Sequence, residues 1–103
     1  MVNVTYNYQN NNIDEVAITG HANFSQLGTD IVCAAVSAIV IGALNALDQM
    51  ESKTIKVINN ISGLVKIKVV IINNDNQVIL KTMLWQLKTI SAQYKKYLKI
   101  KEV

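Results

Sequence analysis

The sequence predicts a small α+β domain of order β-β-α-β-β-α, a mainly antiparallel sheet packed with two helices, and Tyr97 to Val103 as a candidate short last strand. Three observations carry this. Val2, Val4, Tyr6 and Tyr8 alternate with Asn3, Thr5 and Asn7, the two-residue period of a half-buried strand. Ile31 to Leu47 is a long, alanine-rich apolar run without proline. Val78, Ile79, Met83, Leu84, Leu87, Ile90 and Tyr94 recur at helical spacing.

Taken in order, the first strand ends in the turn sequence Gln9-Asn10-Asn11-Asn12, and Ile13 to Thr19 returns as its antiparallel partner. That hairpin delivers Gly20 and His21. A connection from Ala22 to Gly28 leads to the first helix, for which Thr29 or Asp30 is a suitable N-cap. The helix is apolar almost all round, which predicts burial on more than one side, by the sheet and by a second subunit. Thr54 to Asn59 and Leu64 to Asn73 read as two further strands, the second central because it becomes wholly apolar at Val70-Ile71-Ile72. Asn74 or Asp75 then caps the second helix, with Met83 in the core and Trp85 at its rim.

At 103 residues and 11.4 kDa, the chain is a single domain over 1–103. Half of its residues are hydrophobic and it lacks proline, so it buries a real core and does not read as disordered. One cysteine makes no intrachain disulfide, and the N-terminus has neither the basic nor the apolar region of a signal peptide. Ser37 and Asn45 interrupt the apolar run. The expectation is a core helix, no membrane partner and a cytoplasmic protein. No phosphate-binding glycine loop, CxxC pair, histidine cluster or paired carboxylate setting is visible, so dinucleotide, zinc and glycosidase chemistry have no support and neither cofactor nor metal is expected. Net charge is +3, with every basic residue a lysine. Lys81, Lys88, Lys95, Lys96, Lys99 and Lys101 gather in the last quarter; such a pattern reads first as a solvated face and second as a surface for RNA.

His21 and Cys33 are the only imidazole and thiol. A thiol nucleophile needs a proton acceptor and its leaving amine needs a donor, and one imidazole serves as both. A strand ending at His21 and a helix beginning just before Cys33 bring the two toward one strand-to-helix turn, where free N–H groups favour a thiolate and Asp30 opposes it. The alternative is a cysteine used as core filler among Val32, Ala34, Ala35 and Val36.

Gly20-His21-Ala22 followed by Gly28-Thr29-Asp30-Ile31-Val32-Cys33-Ala34-Ala35-Val36-Ser37 resembles the signature of the bacterial ribosomal-processing cysteine proteases, the Prp or YsxB-like family. Asn73-Asn74-Asp75, followed by Gln77 to Leu84 and Leu87 to Ile90, resembles the family's second helix. Leu27 departs from the tyrosine frequent before the loop glycine, and Lys95 from a frequent proline. The resemblance implies a homodimeric cysteine endopeptidase with Cys33 as nucleophile and His21 as base and then acid. Asp30 and Ser37 are implied as supporting residues, and Asn23, Phe24, Leu27 and Gly28 as parts of a mobile substrate loop. The helix-start N–H groups, that of Cys33 included, are expected as oxyanion donors. The implied substrate is the precursor of the large-subunit ribosomal protein numbered twenty-seven, cut after an aromatic residue to remove a short N-terminal extension. The alternative class is a non-catalytic ribosome-associated or RNA-binding α+β module.

Overall fold

The computed structural model describes residues 1–20, 27–59 and 63–103, the side chains of 27–30 excepted. Strands β1 (Val2–Gln9) and β2 (Asn12–Thr19) form the expected antiparallel hairpin. Asn10 and Asn11 close it with φ of 53° and 64°. Two positive φ values mark a type I′ turn, whose twist matches that of the strands, and asparagine tolerates this backbone better than most residues with a β-carbon.

Ile13 and Val16 are both fully buried although they stand three apart, a spacing that strict alternation would send to opposite faces. A register shift resolves the conflict. Asn7 lies opposite Glu15 while Tyr8 lies opposite Ile13, leaving Asp14 as the extra residue of a bulge. Gln77, from the second helix, ties this point down. Its side-chain oxygen accepts from the Ile13 N–H at 2.7 Å and its amide donates to the Ile13 carbonyl at 2.9 Å, so a buried polar side chain satisfies buried backbone.

After the hairpin come α1 (Leu27–Glu51), β3 (Ile55–Asn59), β4 (Val65–Val69), α2 (Asn74–Gln93) and β5 (Leu98–Glu102). The sheet order is β3-β4-β2-β1-β5, antiparallel except for the parallel pair β1 and β5. Hence α1 crosses from β2 to the parallel strand β3 and α2 from β4 to the parallel strand β5. The crossovers travel in opposite directions from oppositely directed strands, so the right-handed rule sends both helices to one face. The core agrees: Val2, Val4, Val16, Ile18, Ile67, Val69 and Leu98 point inward against Val32, Val36, Val40 and Leu47 of α1 and Leu80, Met83, Leu84 and Leu87 of α2.

Expectations at three elements are corrected. The α1 helix begins at Leu27, so Thr29 and Asp30 lie within its first turn instead of capping it. The β4 strand ends at Val69: its partner β3 begins only at Ile55, and the Thr54 carbonyl accepts the N–H groups of both Val70 and Ile71, so the ladder stops and Val70, Ile71 and Ile72 are exposed. The strand is nevertheless interior, between β3 and β2. The α2 cap is Asn73, whose side chain accepts from the Asn76 N–H at 2.8 Å while Asn76 accepts from the Asn73 N–H, a reciprocal capping box. Leu80, not Val78, then faces inward, and Trp85 stands 67% exposed.

The expected cover of α1 by the sheet is present on one side of the helix. Among the described side chains of this helix, Val32, Val36, Val40 and Leu47 are buried within one chain, at spacings of four, four and seven, and Cys33, Ile39, Ala43 and Leu44 are partly buried against the same core. Ile31, Ala34, Ala38, Ile41 and Gly42 form an exposed apolar face on the other side. By length and composition Ile31–Glu51 is apolar enough to cross a membrane, yet its buried stripe is engaged with the sheet.

Candidate active site

The site is built where β2 ends and α1 begins. Because α1 must run back along the sheet to start β3 at the far end, its N-terminus stands at the edge where β2 finishes. At that edge Asn3 pairs with Thr19, Ile18 with Val65, Val65 with Asn59 and Val2 with Leu98, so four further chain ends or starts converge there.

Gly20 follows β2 with φ of +95°, a backbone that side-chain-bearing residues rarely adopt. A β-carbon here would also collide with the Met1 carbonyl oxygen. The last residue before His21 is thus required to be glycine twice over, by its dihedral and by the chain lying against it. The Met1 contact has no signal in the sequence, because it arises only from the hairpin register.

Cys33 is the seventh residue of α1, half-buried, and packs against the hydrophobic core. A helix leaves only its first four N–H groups without an intrahelical acceptor. The N–H groups at the very start of α1 have no acceptor within the helix, and Cys33 follows them on the second turn. Ser37 is exposed one turn after Cys33, on the adjoining helix surface. Gly28 and Leu27 contribute the first backbone turn of the helix, and Asp30 stands three residues before Cys33. His21, Asn23 and Phe24 lie outside the described residues. Among the described residues no cluster of three His, Cys, Asp or Glu side chains is arranged to hold a metal ion.

The opposite end of α1 is tied to α2 by a polar network. The Glu51 carboxylate accepts from the Asn73 amide at 2.5 Å and the Thr54 hydroxyl at 2.7 Å, and the buried Asn76 amide donates to Thr54 at 3.1 Å and to the Ile71 carbonyl at 2.9 Å. The Asn73 and then the Thr54 hydrogen bond hold the Glu51 carboxyl below its ordinary range, against a smaller opposing effect of burial. This network ties the C-terminal end of α1 to the N-terminal cap of α2.

Comparison with known proteins bears on this arrangement directly. The sequence profile of the cysteine protease Prp family matches residues 1–99. The ribosomal processing cysteine protease Prp of Staphylococcus aureus is 35% identical over 101 residues, spanning 96% of this chain and 94% of that one. Two crystal structures of the essential ribosomal processing protease Prp from S. aureus superpose over 100% of both chains. The complex with a covalently linked product peptide gives a TM-score of 0.88 at 32% identity. The complex with a substrate peptide gives 0.89 at 31%.

Proposed function

We propose, on the premise that this chain belongs to the cysteine protease Prp family, that it removes a short N-terminal extension from the precursor of the large-subunit ribosomal protein numbered twenty-seven, cutting after an aromatic residue. The family is one of ribosomal-processing cysteine proteases, and its peptide-bound structures support a protease role. The observation that carries the reading is the position of Cys33 on the second turn of the helix that follows Gly20 and His21.

In this mechanism the Cys33 sulfur attacks the scissile carbonyl carbon while its proton passes to the His21 imidazole. The carbonyl oxygen becomes an oxyanion, held by N–H groups at the start of α1 that have no acceptor within the helix. The C–N bond then breaks and the imidazolium gives its proton to the departing amine. Water, deprotonated by His21, attacks the thioester, releasing the carboxylate and restoring the thiol. The product peptide covalently linked to the S. aureus protease supports such a covalent stage. Asp30 and Ser37 are positioning residues beside Cys33, and the segment Asn23 to Gly28, with Phe24 and Leu27, is a substrate loop. The work is done in the cytoplasm by a homodimer, in which Ile31, Ala34, Ala38 and Ile41 of α1 meet the same residues of a second copy. Their three- and four-residue spacing is that of a helix-packing seam, and small side chains on it allow close approach.

A peptide spanning the extension and the first mature residues tests this reading. The wild-type chain should cut one bond, and Cys33→Ala and His21→Ala should each lose about a thousandfold or more in rate while still binding the peptide. Cleavage that survives Cys33→Ala in protein free of other proteases would overturn the mechanism.

A further inference from the structure

Residues 76–101 hold six of the ten lysines and none of the seven carboxylates. The fold does not scatter these lysines. On α2, Lys81, Trp85, Lys88 and Ala92 follow one another at spacings of four, three and four, a single helix face about 16 Å long at 1.5 Å per residue. Lys88 and Ala92 of that face line a groove of about 730 Å³ between α2 and the β1–β5 edge. Lys88, Lys95, Lys99 and Lys101 line it with Asn3, Thr5 and Ser91, and no carboxylate does. Outside the groove lining, one turn before Lys88 on α2, stands Trp85, the only tryptophan, 67% exposed. The Lys88 ammonium lies 4.8 Å from the Trp85 ring centre and 5.2 Å from that of Tyr6, so cation and ring are held side by side.

We infer that this groove binds single-stranded RNA, apart from the proposed peptide-cutting site on α1. The groove and Trp85 match the two needs of such a ligand: a row of ammonium groups that tracks phosphates, and an exposed ring on which an unpaired base stacks. A duplex offers no free base face to Trp85. An acidic peptide would satisfy the lysines but has no use for the ring. Lysine without arginine fits this as well, since point charges along a backbone need no forked, base-reading donors. The groove begins at Asn3, two residues from the Met1 carbonyl that abuts Gly20, so a bound strand would lie beside the edge from which His21 departs.

The test uses the whole chain and a mixed-sequence twelve-nucleotide RNA, with the fluorescence of Trp85 and the anisotropy of labelled RNA as readouts. Trp85 emission should be quenched on binding. Affinity should fall with salt at a logarithmic slope of about −2 to −3, as expected where about four phosphates meet lysines on a single strand. Trp85→Ala should weaken binding about 5- to 100-fold and Trp85→Phe should recover most of it, the behaviour of a base stack. The triple variant Lys88→Gln, Lys95→Gln, Lys99→Gln should weaken binding at least tenfold and flatten the slope. Peptide cleavage should be unchanged in all of these variants, which also reports that they are folded. Polyglutamate or duplex RNA binding as tightly as the single strand, or affinity indifferent to Trp85→Ala, would overturn the inference, as would no binding at low salt.

Discussion

Gly20 is where a single atom matters most. Its φ of +95° and its approach to the Met1 carbonyl leave no room for a methyl group. Gly20→Ala must either adopt a strained backbone, at a cost of about 1–3 kcal/mol, or move the chain away from Met1. The second response displaces His21, the next residue. Thermal unfolding and peptide cleavage measured together on this variant should show a modest fall in Tm and a larger, at least tenfold fall in cleavage rate. Full activity with an unchanged Tm would mean that the backbone after β2 does not aim the histidine. Gln77 works at the same scale with a different physics: its amide stands in for a missing strand, answering both polar groups of Ile13 at the bulge.

At the scale of elements, the joint between α1 and α2 depends on the charge of Glu51. Asn73 and Thr54 both donate to its carboxylate, and these bonds lower its pKa in the folded state from the ordinary 4.5. The folded chain therefore binds a proton at Glu51 less readily than the unfolded chain. Stability from this group is complete above the unfolded value and is lost as pH falls through the lower, folded one. Urea unfolding followed from pH 7 down into the acid range should show a decline in wild-type stability that Glu51→Gln reduces. Parallel curves for the two proteins would show that the network does not depend on ionised Glu51. The Asn73 cap joins the same atoms to the first turn of α2, so cap and carboxylate should fail together.

For the whole molecule, the open question is posed by α1. One stripe of the helix is in the core, and the other side, around Ile31 and Ile41 at 53% and 56% exposure, is apolar and uncovered. Contiguous exposed apolar surface of this kind marks an interaction site. With a second copy seated there, Ile41→Glu would bury a carboxylate without a partner and should convert a dimer to a monomer in sedimentation at micromolar concentration. Because residue 41 is solvent-facing within one chain, the variant should keep its far-ultraviolet dichroism. An unchanged sedimentation coefficient would remove this face from the dimer, and vesicle binding that Ile41→Glu abolishes would assign it to a lipid surface instead.

Strand alternation, the asparagine turn, both helices and the β5 strand were legible in the sequence because period and turn chemistry are local properties, expressed over a few residues. The Gly-His-Ala and Asp-Ile-Val-Cys segments likewise pointed to a thiol chemistry and to the family that the comparisons bear out. Which surfaces face each other was decided only by tertiary structure. The end of β4 is set by where its partner β3 begins, so Val70-Ile71-Ile72, apolar enough for a buried strand, is left exposed beside Thr54. The inward face of α2 is set by the bulge that Gln77 must reach, which brings Leu80 in and leaves Val78 out. The lysines of α2 and β5 meet in one groove because β5 adds in parallel to β1, a pairing between residues more than ninety positions apart. Local patterns carry no information about partners at that separation: each residue states how buried it prefers to be, and only the packed sheet and helices decide against what.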